Sequence, residues 1–316
     1  QEAEVRRLVQ EGADVKVTPM FGPPLLTSAV MAKNTSMIKT LVHLGADLNS
    51  ARNSGETPVH TAALRGYADV ITVLAELGAN VTTPGRGGST PTYGAAAFGH
   101  VEAVRVLASL GGDVNAPDDN GVTPVYAAAI KDHAQVIRVL VELGADANTH
   151  ETRKGATPIY IAAQLGNVES IRTLAALGVD VNAIPAGTAA PPIAIAAQGG
   201  HVEAVRLLVE LGASIRHRCR RGATLLHYVA AEGHTAVIRL LAELGADVNA
   251  VDEDDCTPIF RATLHDHVEA VRLLAELGAD VEKPDNAGIR PLFLAANEGH
   301  EEVARLLIDE LKADVN

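Results

Sequence analysis

The amino-acid sequence predicts a repeat protein built of short helices in thin stacked layers, and three observations support this prediction. A motif recurs every 33 or 34 residues along a chain of 316 residues. Ala and Leu are abundant, aromatic residues make up only 3% of the chain, and Trp is absent, which suits closely spaced layers better than one large core. Each copy of the motif also carries the same helix start and stop signals. Such repeats bury an apolar face only by stacking on their neighbours.

Each motif predicts where its helices begin and end. A Thr-Pro pair marks the start, because Thr is a good N-cap residue and Pro at the first helical position loses no hydrogen bond. An Ala-Ala pair then lets neighbouring helices approach closely, and the Gly of Leu-Gly-Ala-Asp suits a helix end with positive φ. The marker prolines are Pro58, Pro91, Pro124, Pro158, Pro192, Pro258 and Pro291, with Leu225 in the one missing place.

The period, the T-P-Φ-[HYF]-x-A-A segment, the following Gly-His and the closing Φ-R-x-L-x-x-L-G-A-D-V-N resemble the ankyrin repeat. The resemblance implies an all-α solenoid of stacked helix-turn-helix units, each with two antiparallel helices and a projecting β-turn finger. We assign one array over residues 1–316, in which 1–16 supply only the second helix of a partial repeat. The nine further repeats are 17–49, 50–82, 83–115, 116–148, 149–182, 183–216, 217–249, 250–282 and 283–316.

Some repeats depart from the pattern. Lys33 replaces the Gly that joins the two helices of the first repeat, where Leu25 also replaces Pro. Residues 189–191 replace the usual G-x-T, so we expect altered finger geometry at 183–192, and the last repeat gains one residue in "IDELKAD". The chain begins inside a repeat and stops where a further finger would start. We therefore expect some fraying at both ends and a fragment of a larger protein or an assembly subunit.

Composition restricts the function classes. The formal net charge is −13, from 39 acidic and 26 basic residues, which disfavours general binding to nucleic acid. No apolar run approaches the ~20 residues that a membrane span needs, so no membrane insertion is expected. Two cysteines suit a reducing compartment, and we expect an intracellular, cytoplasmic protein. The motifs G-x-S-x-G, H-E-x-x-H and G-x-x-x-x-G-K-[ST] are absent. We therefore predict a non-enzymatic protein without a cofactor.

A column of histidines occupies the turn between the two helices of a repeat: His100, His133, His201, His234, His267 and His300. A zinc ion needs all its ligands within ~2.0–2.3 Å, whereas the members of this column are one repeat apart, so no metal site is expected. The resemblance implies a structural role instead, in which each histidine binds backbone groups. The resemblance also raises hydroxylation of finger asparagines, at Asn115, Asn148, Asn182 and Asn249, as a weaker hypothesis.

A basic segment, "RHRCRRG", leads into the seventh repeat and contains Arg216, Arg218, Arg220 and Arg221. The next finger carries four acids at 252–255, so the first interpretation is charge complementarity between two neighbouring fingers. An alternative is an anion site for a phosphopeptide, an acidic loop or RNA, because Arg presents paired donors to phosphate; Arg153 and Lys154 would assist. A third is a redox-sensitive Cys219 with a depressed pKa. A disulfide with Cys256 is not expected.

The resemblance implies that a partner docks on the concave surface formed by the fingers and the first helices. The two residues after each Ala-Ala pair vary there, and large apolar ones cluster in repeats two to five. The candidate partner-binding residues are Leu64, Arg65, Phe98, Ile130, Lys131 and Leu165. The alternative is that the apolar ones pack sideways on neighbouring first helices, while Gly94 and Ala97 leave the third repeat thin. We predict a protein-interaction scaffold; the other hypotheses are the anion site and a structural spacer in a larger assembly.

Overall fold

The computed structural model describes residues 2–16, 23–52, 55–188 and 190–315, and all regular structure among them is helical. The helices are α1 Glu2–Gln10, α2 Leu25–Met31, α3 Thr35–His43, α4 Pro58–Leu64, α5 Ala68–Glu76, α6 Pro91–Ala97, α7 Val101–Ser109, α8 Pro124–Ile130, α9 Ala134–Glu142, α10 Pro158–Leu165, α11 Val168–Ala176, α12 Pro192–Gln198, α13 Val202–Glu210, α14 Leu225–Ala231, α15 Thr235–Glu243, α16 Pro258–Leu264, α17 Val268–Glu276, α18 Pro291–Glu298 and α19 Glu301–Arg305. Short 3₁₀ turns occupy Arg86–Gly88 and Arg220–Gly222. The predicted all-α class is confirmed.

The chain forms two compact units, residues 1–158 and residues 159–316. In the first unit, the first helices α2, α4, α6 and α8 stack in order, and so do the second helices α3, α5, α7 and α9. In the second unit, α12, α14, α16 and α18 form one row, and α11, α13, α15 and α17 form the other. Branched aliphatic side chains fill each layer, since Val59, Val125, Ile193 and Ile259 are fully buried. Each helix pair therefore buries its apolar face against its neighbours, as the sequence predicts.

Threonine side chains cap several of the first helices, as predicted. The Oγ1 atoms of Thr90, Thr123 and Thr257 accept the backbone N–H three residues later, at 3.1, 3.4 and 3.3 Å. Thr57 adds a second bond, because its own N–H donates to Nδ1 of His60 at 3.2 Å. Nε2 of His60 then donates to the carbonyl of Ser89 at 3.1 Å. A single histidine thus closes a capping box and ties its repeat to the next finger.

The departures from the pattern are accommodated locally. Lys33 takes the left-handed conformation with φ of 54°, the region that Gly66 occupies in the next repeat with φ of 70°. The extra residue of the last repeat is absorbed by one π-helical turn, Leu306–Glu310, and Lys312 with φ of 58° replaces the usual Gly. In the finger at 183–192, Thr188 Oγ1 donates to the carbonyl of Pro185 at 3.0 Å; residue 189 lies outside the described residues. Among those, no helix is long and apolar enough to cross a bilayer.

Candidate functional site

Three of the predicted partner-binding residues occupy equivalent positions in the first unit. Arg65, Phe98 and Lys131 are the C-cap residues of α4, α6 and α8, and all three are exposed. Because these helices stack in order, the three side chains leave the same ends of consecutive first helices, at the helix-packing interval of about 8–10 Å. We call Arg65, Phe98 and Lys131 the C-cap stripe.

Among the described residues of the first unit, Phe98 is the most exposed large apolar side chain, at 58%. Its ring lies against the imidazole of His100, with centroids 6.5 Å apart and planes inclined by only 12°. That imidazole is itself fixed, because its Nε2 is 3.0 Å from the carbonyl oxygen of Leu64. Phe98 is thus solvent-exposed and lies beside a ring that the backbone anchors.

The remaining apolar candidates divide between two environments. Leu64 is half-buried and covers Gly94 of the next first helix, where an added Cβ would lie 3.1 Å from its Cδ2 atom. This is the sideways packing that the sequence left open, and the Leu64 side chain occupies the space beside the small Gly94. Ile130 is half-buried as well. Leu165, the last residue of α10, is 44% exposed and belongs to the second unit.

The histidine column is structural, as the resemblance implied. Nε2 of His201, His234 and His267 lies 2.9 Å from a backbone carbonyl oxygen of the preceding repeat, and Nε2 of His300 lies 3.2 Å from one. The rings also cover the glycine of the preceding turn: a Cβ on Gly66 would lie 2.6 Å from Nδ1 of His100. No group of three or more His, Cys, Asp or Glu residues is placed to hold a metal ion in the part of the chain that the structure describes.

Two of the four arginines in the basic finger, Arg218 and Arg221, bind groups of this finger and of the next one. Arg221 pairs with the carboxylate of Asp254 at 2.8 Å, and its carbonyl oxygen accepts the N–H of Glu253 at 2.9 Å. Nη1 of Arg218 donates to the carbonyl oxygens of Gly222 and Val251, both at 2.8 Å. These contacts join adjacent fingers and agree with the charge-complementarity interpretation.

The partner of Asp252 is Arg261, a pairing that the sequence did not indicate. The carboxylate of Asp252 is fully buried and accepts a 2.5 Å hydrogen bond from Arg261, which lies on the first helix of its own repeat. The backbone N–H groups of Asp254 and Cys256 donate to it at 2.9 and 3.0 Å. Burial alone would raise the pKa of Asp252, but the bonds from Arg261 and the two N–H groups outweigh it and lower that pKa. Asp252 therefore faces Arg261 and not the basic finger, which corrects the expectation of four finger acids against four arginines.

The pKa of Cys219 shifts in the direction opposite to the one that a redox-sensitive thiol requires. Burial raises the pKa of its thiol, and the hydrogen bond with Tyr228 offsets this only in part. Burial also raises the pKa of Cys256, to about 11. The alternative hypothesis of a depressed pKa is wrong, because the sulfur is buried. Both cysteines are free, buried thiols, so neither has the exposed thiolate that a redox sensor needs.

Arg216 and Arg220 are exposed, and neither forms an ion pair with a described residue. A cleft of about 320 Å³ lies beside the finger, lined by Arg216, Arg218 and also Asp247. Arg153 and Lys154 are exposed in the first unit, where their backbone N–H groups donate to the buried carboxylate of Glu151 at 2.6 and 2.5 Å. The cationic side chains are thus accessible, but the carboxylate of Asp247 in the cleft would repel an anion.

The second unit has a further apolar surface, which the sequence did not indicate. A cleft of about 560 Å³ is lined by Ile289, Arg290, Phe293 and Val315 of the last repeat. Phe293 is 61% exposed. Its exposure matches that of Phe98, so it offers a comparison residue of the same type.

This chain is a tandem helical-repeat protein. Its helix pairs follow one another, most turns between them contain glycine, and hydrogen bonds join adjacent fingers. The family model for ankyrin repeats matches residues 2–85, 92–184, 187–252 and 244–316. The chain belongs to the ankyrin-repeat family, and the resemblance seen in the sequence is confirmed. The crystal structure of the human ASB11 ankyrin repeat domain is similar, with 28% identity and a TM-score of 0.64 over 72% of this chain and 100% of that one. No match was found among curated proteins. Ankyrin repeats are generally protein-protein interaction modules without catalytic activity.

Proposed function

We propose that this protein is a non-enzymatic scaffold that binds a segment of another protein on the first-helix surface of residues 1–158, centred on Phe98. The observation that carries the proposal is the 58% exposure of this aromatic ring, which stacks beside the anchored imidazole of His100. Aromatic residues and arginine dominate the binding energy of protein interfaces, and an aromatic side chain has few rotatable bonds to order on binding. Leu64 and Ile130 support this surface from the half-buried layer below it.

The six candidate residues would have different roles in binding. Phe98 is the anchor, Arg65 and Lys131 lie on either side of it, and Leu64 and Ile130 give the surface its shape. Leu165 is an exposed apolar residue of the second unit and stays a separate prediction. Both cysteines are free thiols, which supports the proposed intracellular location.

The test is affinity capture from a nuclease-treated native lysate with the wild type, Phe98→Ala and Phe293→Ala. Phe293 is the matched control, because it is an exposed phenylalanine in the second unit. We expect a partner to be captured by the wild type and by Phe293→Ala and to be lost with Phe98→Ala, while the thermal unfolding of all three proteins stays the same. A partner captured equally well by Phe98→Ala would refute the proposed site.

A second candidate function is anion binding at the basic finger, favoured by the exposed and unpaired side chains of Arg216 and Arg220. It is weaker than the first, because Arg218 and Arg221 already bind finger groups. A partner held in this way would be released by moderate salt, since screening weakens exposed charge pairs. Arg216→Ala/Arg220→Ala would abolish that binding, whereas Phe98→Ala would not. A pure spacer, the third hypothesis, predicts that neither variant changes the captured proteins.

A further inference from the structure

We infer that the segment bound at Phe98 presents one apolar side chain to this ring and acidic side chains on both sides of it. The inference rests on the proposed function and names the chemistry of the partner. Its basis is the C-cap stripe, in which an exposed aromatic side chain lies between an exposed Arg and an exposed Lys on consecutive helices.

The two cations of the stripe are available to a partner. Neither Arg65 nor Lys131 forms an ion pair with a described residue. Some other cations of the first unit are paired: Lys33 with Asp69 at 3.3 Å, the half-buried Arg52 with Glu56 at 3.6 Å and Arg105 with Glu142 at 3.1 Å. An incoming carboxylate would therefore find two cations that have no internal partner to displace.

Three of the equivalent positions of the second unit carry different chemistry; the first position of that column is the exposed Leu165. The C-cap residues of α12, α14 and α16 are Gly199, Glu232 and His265. Glu232 accepts a hydrogen bond from Gln198 at 3.2 Å, which leaves its negative charge in place. An acidic segment would be repelled there, and no aromatic anchor is present among these three residues. Charge complementarity thus selects the first unit for an acidic partner and discriminates against the same column in the second.

The spacing of the stripe indicates the sequence pattern of the partner. Neighbouring helices pack about 8–10 Å apart, and a polyproline II segment advances ~3.1 Å per residue with three residues per turn. Residues three apart in such a segment point the same way at about the helix-packing interval. We therefore infer an extended segment of the pattern acid-x-x-apolar-x-x-acid, with the central side chain on Phe98 and the acids toward Arg65 and Lys131.

The test begins with selection of a random peptide library on the full chain. A synthetic peptide of the enriched consensus is then titrated against the wild type, Phe98→Ala and Arg65→Glu/Lys131→Glu. The matched controls are Phe293→Ala and Lys39→Glu/Arg138→Glu; the latter makes the same charge change in the same unit, at exposed residues of the second helices α3 and α9. We expect a consensus with acids on both sides of an apolar residue and about tenfold weaker binding to each stripe variant. The controls should bind like the wild type.

Each other outcome has a definite meaning. If enriched peptides require Phe98 but bind Arg65→Glu/Lys131→Glu like the wild type, the docking site stands and the acidic partner is wrong. If binding ignores Phe98→Ala or depends on Phe293, the proposed function itself fails at this site. A library that yields no binder contradicts the inference, since it contains the inferred pattern. Arg65→Gln/Lys131→Gln serves as a second charge variant if the double Glu variant does not fold, and it should still weaken binding.

Discussion

The two units of this protein are built from the same repeat, but their surfaces differ. In each unit the histidine of one turn binds a carbonyl oxygen of the preceding repeat, as His100 and His234 show. Yet residues 1–158 contain 13 Lys and Arg against 16 Asp and Glu, whereas residues 159–316 contain 13 against 23. The C-cap column changes with them, from the Arg65, Phe98 and Lys131 stripe to Gly199, Glu232 and His265. The shared positions build the scaffold, and the exposed positions between them give each unit its own binding chemistry.

The largest expected difference between the units concerns a finger acid. Asp252 and Asp118 occupy equivalent fingers, and each accepts two backbone N–H groups, but only Asp252 also binds an arginine, Arg261. Asp252→Ala should lower the free energy of unfolding by about 3 kcal/mol, because it leaves the partly buried guanidinium of Arg261 with only the more distant carboxylate of Asp254, at 3.9 Å. Asp118→Ala should cost only about 1–2 kcal/mol. Urea denaturation measures both, and equal losses would show that the Arg261 pair adds nothing.

The next largest effect is a loss of stability when a turn glycine is replaced, and it should be equal in the two units. Gly66 and Gly166 adopt φ of 70° and 71°, and an added Cβ would lie 2.6 and 2.7 Å from Nδ1 of His100 and His201. Gly66→Ala and Gly166→Ala should each cost about 2–3 kcal/mol, because they add left-handed strain and displace a bonded histidine ring. The change is measured by urea denaturation. Gly87→Ala, which meets no atom within 4 Å, is the control for strain alone. If it costs as much as the other two, the histidine contact contributes nothing.

A smaller change in the free energy of unfolding should depend on pH, and both units should contribute to it. Burial lowers the pKa of His60 and His227, with the hydrogen bonds to Ser89 and Cys256 offsetting only part of it. The unfolded chain, with a histidine pKa of about 6.5, then binds more protons than the folded one. Stability should therefore fall as the pH drops below about 6.5, until the folded pKa is passed.

The pH effect can be separated from the titration of carboxylates by substitution. His60→Gln/His227→Gln removes both buried imidazoles and should flatten the dependence of unfolding free energy on pH between about 7 and 5. The exposed His43 in α3 provides the control His43→Gln, which should keep the wild-type slope. An unchanged slope in the double variant would mean that other groups carry the pH dependence.

The smallest effect is expected at the fingertip. Arg221 has φ of 57°, whereas the equivalent residue in the finger of the repeat 83–115 is Gly87 with φ of 74°. Arg221→Gly removes an exposed ion pair worth less than about 1 kcal/mol and relieves strain of similar size. The free energy of unfolding should stay within about 0.5 kcal/mol of the wild type. A loss above that amount would show that the Arg221 to Asp254 pair orders the fingers more strongly than its exposure suggests.

The fold could be predicted from the sequence because its signals are local. The Thr-Pro caps, the turn glycines and the repeat period each lie within a few residues of the structure that they specify, and the structure has helices where they predict. Two features could not be predicted, since they depend on distances across repeats or helix faces. The pairing of Asp252 with Arg261 needs the finger to fold back on its own helix, and burial of the Cys219 sulfur raises a pKa that the flanking arginines alone would lower. The packing of Leu64 on Gly94 is one of the two alternatives that the sequence left open.

The most direct test of the docking surface is hydrogen exchange measured on the free protein and on its complex with a captured partner or selected peptide. Protection on binding should appear at residues 64–65, 97–100 and 130–131, the ends of α4, α6 and α8. The equivalent residues of the second unit, 198–199, 231–232 and 264–265, should exchange as in the free protein. Protection confined to those second-unit residues or to the basic finger at 216–222 would contradict the assignment of the site to Phe98.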